Sequence, residues 1–229
     1  FGLLLVWLGI AIKLYACNMR RGQQLRYLLA LVLIDAFIAG GNYVTALLLG
    51  ICVVSLMIWS VMHRRDLIAA SLLLGIVYAA AFYVNAAAPG NDVRQALLTQ
   101  LTPLEAITSA ISGTPIRLLG QLLRHPGILS ILLLVWAPLC LVFVRNAEQR
   151  FRFPLLTAIG SFLLLAAMFT PAYYAMSNAG PYRLWNIIFF LFYLLLMANL
   201  YYLAGWGKRR FPNEYQKILA FFDRGKRFA

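Results

Sequence analysis

The chain has 229 residues, of which 63% are apolar and 12% charged. A soluble globular domain carries about 25% charged residues, so an ordinary water-soluble fold is excluded. Its 20 Lys and Arg against 7 Asp and Glu give a formal net charge of +13, which suits either nucleic acid or a membrane surface, and charge location decides between them.

A hydrocarbon core of about 30 Å takes about 20 helical residues to cross. On that measure the sequence predicts an all-α fold: a polytopic integral membrane helix bundle of about seven transmembrane helices, occupying residues 1–206. The first apolar run covers residues 1–18. Residues 27–62 then carry one strong charge, Asp35. As a single helix they would extend about 54 Å at about 1.5 Å per residue, too far for one crossing. A break at Gly40-Gly41-Asn42 divides them into crossings at 27–41 and 43–62, and a fourth follows at 67–84.

Residues 85–126 do not span. Within them Thr102-Pro103-Leu104-Glu105 has the form of a capping box, with Thr102 as N-cap, Pro103 at the first helical position and Glu105 reaching back. A second start is predicted at Thr114-Pro115, after a stop at Gly113. Leu104, Ile107 and Ile111 recur at helical spacing, so short amphipathic helices are expected in the outer headgroup layer, with Arg117 and Arg124 on their polar side. Three further crossings follow at 127–144, 154–171 and 184–206. The remaining residues, 207–229, read as a cytoplasmic basic amphipathic tail in which Tyr215, Ile218, Leu219 and Phe222 face lipid.

Orientation follows from Lys and Arg in short loops, which are retained in the cytoplasm. Arg20, Arg21 and Arg26 share one loop, Arg64 and Arg65 a second, Arg145, Arg150 and Arg152 a third, and seven cations from Lys208 to Arg227 the tail. Fifteen of the 20 thus fall on segments separated by even numbers of crossings, whereas Arg94, Arg117, Arg124 and Arg183 reach the other face. The basicity is mainly a topological label, and nucleic acid is not expected as a partner. A chain that opens inside an apolar run on the outer side also reads as the C-terminal part of a longer protein.

Cys17, Cys52 and Cys140 lack zinc or disulfide spacing and read as small core residues. His63 and His125 have no ligand at metal spacing, and no nucleotide cradle or nucleophile elbow occurs. No metal and no cofactor are expected.

The unusual residues collect on three outer turns. The first is Gly40-Gly41-Asn42-Tyr43, with Asp35 about two helical turns below it. The second joins Asn85 to Pro89-Gly90-Asn91-Asp92-Val93-Arg94. The third runs from Thr170 to Arg183 and holds Pro171, Tyr173, Tyr174, Asn178 and Tyr182. Gly-Gly-Asn also suits a plain hairpin turn, Asn91 or Asp92 a plain helix cap, and Arg183 an interfacial anchor. Asp35 is less easily reduced to structure, since a carboxylate at mid-membrane costs about 2.5 to 3.5 kcal/mol on insertion scales. It is expected to be protonated, paired with Arg94 or Arg183, or exposed to a wet cavity. Arg94 beside a helix start suits a phosphate, and Asn and Tyr side chains suit a sugar. A lipid-linked phospho-sugar entering sideways from the membrane would meet both.

The Gly/Asn turn, Pro89-Gly90-Asn91 with Arg94, and Thr170-Pro171 followed by Tyr182-Arg183 before the final helix resemble bacterial membrane proteins akin to GT-C-type glycosyltransferases. That group includes serotype-converting glucosyltransferases of lipopolysaccharide, and the resemblance covers most of residues 27–206. It implies an enzyme of the bacterial inner membrane that moves a sugar from a polyprenyl-phosphate carrier to a cell-envelope glycan on the outer side. Arg94 and Arg183 would hold phosphate, and Asn42, Asn91, Tyr43 and Tyr182 would shape the pocket. GT-C enzymes place their acidic residue in the first large outer loop, which has no counterpart here, so the base is expected upstream of residue 1 or, within this chain, at Asp92 or Asp35. Two other classes fit the same residues: a glycolipid transporter or flippase, and a non-catalytic subunit of an envelope-assembly complex.

Overall fold

The computed structural model describes residues 1–17, 19–90, 99–124, 127–147 and 151–225. They form nine α-helices and one 3-10 turn, with no strand among them: α1 Gly2–Ala16, α2 Arg21–Ala39, α3 Tyr43–His63, the turn Arg65–Leu67, α4 Ile68–Ala86, α5 Pro103–Arg124, α6 Ile128–Val144, α7 Pro154–Met176, α8 Tyr182–Arg210 and α9 Pro212–Gly225. The chain is all-helical. Among the described residues, five stretches are long and apolar enough to cross a membrane: Arg21–Ala39, Tyr43–His63, Arg65–Ala86, Pro154–Met176 and Leu184–Arg210. The apolar segments Gly2–Ala16 and Ser130–Val144 are shorter than a full crossing, so five of the seven expected crossings have helices of spanning length.

The chain separates into two compact units, Phe1–Thr102 with Pro171–Asn178, and Pro103–Thr170 with Ala179–Ala229. In the first, α2 packs against α1, α3 and α4. Its inward stripe is Leu31, Asp35 and Ile38, all buried, while Leu29, Leu33 and Phe37 stay exposed. That inversion, with the carboxylate inside and apolar side chains outside, is what a lipid surround selects. The basic end is pinned by Arg64. Its guanidinium donates to the Tyr15 carbonyl at the end of α1 (2.9 Å) and to both Asp66 carboxylate oxygens (3.1 and 3.0 Å). The hydrogen bond from Arg64 holds the Asp66 carboxyl below its ordinary range. The α1–α2 and α3–α4 loops therefore share an end, as the threading requires.

In the second unit α6 lies along α8, with the Trp136 indole donating to the Met197 carbonyl (2.8 Å). The carbonyls that α6 leaves unpaired at its C-terminus are satisfied from outside. Lys208 Nζ donates to those of Val144 and Arg145 (2.9 and 2.8 Å), and the Tyr215 hydroxyl to that of Leu141 (2.5 Å). Lys208 is thus a helix cap as well as a charge.

Several expectations are corrected. Residues 103–124 form one helix, with no second start at Thr114-Pro115: Pro115 lies inside α5, and the buried Thr114 hydroxyl donates to the Ala110 carbonyl (2.6 Å). Ala106, Ala110, Thr114 and Leu118 make a buried stripe, and Arg117 stacks over the Trp185 ring at 5.5 Å instead of meeting only headgroups. Pro171 likewise lies inside α7, which continues to Met176. The third turn shrinks to residues 177–181, where Ser177 and Gly180 adopt φ of 53° and 81°. In the tail, Tyr215 and Leu219 are buried against protein. Of the cysteines, only Cys140 is buried, and Cys17 is exposed.

Candidate functional site

The first of the three turns is a helix end followed at once by a helix start. Gly40 and Gly41 close α2, and Asn42 caps α3, its Oδ1 accepting from the Val44 amide at 2.8 Å. The Thr45 hydroxyl donates to the Asn42 carbonyl (2.9 Å). Each contact satisfies a group that a helix terminus leaves open. Asn42 is therefore engaged by the fold at the position where the resemblance asks it to shape a pocket.

Asn85, in the last turn of α4, ties the second turn to the first. Its amide donates to the carbonyls of Ala39 (3.2 Å) and Gly41 (2.8 Å), while the Tyr43 hydroxyl donates to the Asn85 carbonyl (3.4 Å). The third joins through the segment before α5: the Leu101 amide donates to the Tyr174 carbonyl (3.3 Å) and the Ser177 hydroxyl to the Thr99 carbonyl (2.6 Å). Stretches that the sequence sets far apart thus converge at one end of the first unit.

Between them lies a cavity of about 320 Å³, lined by Tyr43, Leu47, Tyr78, Phe82, Ala86, Pro171, Tyr174 and Ala175. The aromatic wall is ordered by ring contacts. Tyr78 stacks on Phe82 one helical turn away (5.8 Å, 12°), and Tyr43 meets Phe82 edge-on (6.1 Å, 80°). On α3, Gly50 admits the Tyr78 ring: a Cβ there would stand 2.5 Å from the hydroxyl oxygen and 2.7 Å from Cζ. A wall of three tyrosines and a phenylalanine offers ring faces for stacking and hydroxyls at their edges, and suits an amphiphile with a polar cyclic head.

Asp35 is fully buried, and neither carboxylate oxygen has a hydrogen-bond partner among the described residues. It does not line the cavity. Of its two expected partners, Arg94 and Arg183, the first lies outside the described residues. Tyr182 and Arg183 open α8, in the second unit. Asn91, Asp92 and Arg94 lie outside the described residues. Of the predicted site residues, Tyr43 lines the cavity and Asn42 stands beside it in sequence.

Tyr78, Phe82 and the clasping role of Asn85 were missed from the sequence. The first two sit in an apolar helix where aromatic residues read as core, and only the Asn at the helix end carried a signal. The second unit holds another cavity, of about 280 Å³, where Asn199 donates to the Ser161 hydroxyl (2.8 Å) amid apolar side chains. No family model, curated protein or solved structure matches this chain.

Proposed function

We propose that this chain is a membrane glycosyltransferase-like protein of the GT-C type. It takes a sugar from a polyprenyl-phosphate carrier and passes it to a cell-envelope glycan on the outer side of a bacterial inner membrane. The observation that carries the reading is the tyrosine-walled cavity between α3, α4 and the end of α7. In this reading all seven apolar helices cross, the short α1 and α6 included, and the C-terminal tail is cytoplasmic. The lipid chain enters between helices and the sugar stacks on Tyr43 or Tyr174; the resemblance makes Arg94 and Arg183 the phosphate ligands. The acceptor hydroxyl attacks the anomeric carbon, its proton passes to Asp92, and the sugar–phosphate bond breaks to leave polyprenyl phosphate. Asp35, buried away from the cavity, serves no proton transfer in this scheme.

The test is transfer of labelled sugar from a polyprenyl-phosphate donor in membranes containing the full-length protein. Arg94→Ala, Arg183→Ala and Tyr174→Ala each reduce transfer at least tenfold while the protein still inserts. Full activity in all three overturns the proposal. One observation favours a second reading: Asp35 is a buried carboxylate in a spanning helix with no hydrogen-bond partner among the described residues, and intramembrane carboxylates mark ion pathways in coupled transporters. Donor-independent uptake of a labelled glycolipid into proteoliposomes, lost in Asp35→Asn, would replace the transferase with a transporter.

A further inference from the structure

At the basic end of the second unit, a recess of about 250 Å³ is lined by Phe151, Arg152, Trp206, Arg209 and Arg210. Its lining is more basic than those of the two cavities above. Trp206, Arg209 and Arg210 stand at spacings of three and four residues in the last turns of α8, hence on one face. Arg152 comes from the segment that precedes α7.

That segment is fixed by construction. Phe151 is buried against Gly205, where a Cβ would overlap its ring, and it meets Tyr201 and Tyr202 edge-on at 5.6 and 5.3 Å. The Tyr202 hydroxyl accepts from the backbone amides of Arg152 and Phe153 (3.0 and 3.1 Å). Phe151 is thus the anchor and Tyr202 the clamp that hold Arg152 beside Arg209 and Arg210. None of the three arginines forms an ion pair with a described residue. Three guanidinium groups around one recess repel each other unless an anion sits among them. Their planar donors match the oxygens of a phosphoryl group, and Trp206 and Phe151 supply apolar walls for what is attached to it.

We propose that this recess is a phosphoryl-binding site, distinct from the tyrosine-walled cavity and independent of any sugar transfer. At the end of a membrane-crossing helix it lies at headgroup level, where the phosphodiester of an anionic phospholipid presents this chemistry. Free phosphate presents it too.

Calorimetric titration of the full chain in mild detergent separates the sources, using short-chain phosphatidylglycerol, the matching phosphatidylcholine, and inorganic phosphate. Phosphatidylglycerol binds the parent at least tenfold tighter than phosphatidylcholine. Arg152→Gln combined with Arg209→Gln and Arg210→Gln weakens it at least tenfold. A control, Arg20→Gln with Arg21→Gln, removes two cations from another loop and changes the affinity less than twofold. Tight binding of inorganic phosphate with the same dependence on the three arginines supports the site and assigns it to a soluble ligand. Equal binding of both lipids without arginine-dependent binding of phosphate, or equal losses in site and control variants, overturns the proposal. If the triple variant fails to fold, Arg209→Gln alone, at an exposed position, carries the same comparison with a loss of at least threefold.

Discussion

Replacing Asn85 by Leu removes the clasp between α4 and the α2–α3 turn while keeping the side-chain size close. The amide makes two bonds, to the Ala39 and Gly41 carbonyls at 3.2 and 2.8 Å. A hydrogen bond contributes about 0.5–1.5 kcal/mol net, and more where the remaining partner is left buried. Ala39 is fully buried and Gly41 exposed, so the first carbonyl loses its donor and the second regains water. The sum is about 1–3 kcal/mol, concentrated at this end of the unit. Local opening of the turn then rises by about 5- to 150-fold, because about 1.4 kcal/mol is tenfold in an equilibrium constant. Hydrogen exchange of the detergent-solubilised protein measures this at the amides of Gly41 to Ala46. Asn85→Asp, which also lacks the donors, moves exchange in the same direction. Exchange within twofold of the parent in both variants refutes the clasp.

Gly50→Ala drives its new methyl into the Tyr78 hydroxyl, lowers thermal stability by about 1–3 kcal/mol, and is substantially relieved by adding Tyr78→Leu; a double-mutant cycle reads the coupling. Lys208→Met removes the donor to the Val144 and Arg145 carbonyls and destabilises the second unit by about 1–2 kcal/mol, seen as a lower melting temperature, whereas Lys217→Met, at an exposed position, leaves it unchanged. The Asp66 carboxyl is held below its ordinary range by Arg64. Its contribution is therefore full above the unfolded value near pH 4 and is lost as pH falls through the lower folded value. Exchange at Ala16 and Cys17 stays flat from pH 8 to 5 after correction for intrinsic rates, and accelerates below about pH 4. Asp66→Asn abolishes that step, and a step that persists in the variant refutes the assignment.

The spanning helices were legible because a membrane leaves few ways to satisfy a backbone: long apolar runs must be helical. Breaks were legible where the chemistry was unambiguous, as at Gly40-Gly41-Asn42 and at Pro103, where α5 begins. Proline misled at Thr114-Pro115 and Thr170-Pro171, since Thr-Pro is a helix start by its local signals. In both places the threonine hydroxyl instead donates to the carbonyl four residues back, at 2.6 and 3.2 Å, keeping the helical turn closed beside the missing amide. The site was legible only as a face. Sequence identified which turns were polar, but the partners of Asn85 and the role of Gly50 depend on helix rotation, which apolar runs of nearly uniform hydrophobicity do not encode. For the same reason Tyr78 and Phe82 read as core, while in the structure they form a cavity wall.

The clasp formed by Asn85 also sets an order of events during synthesis. The Ala39 carbonyl receives its donor from a residue 46 positions later, so the hairpin of α2 and α3 reaches the bilayer before the group that completes its turn has been made. Until α4 arrives, that carbonyl and the Asp35 side chain below it lack the helix that covers them, and the hairpin is at its most vulnerable to quality-control proteolysis. Insertion of α4 is then the step that commits this half of the protein, and slowing translation just before Asn85 would lengthen the exposed interval without altering the finished molecule.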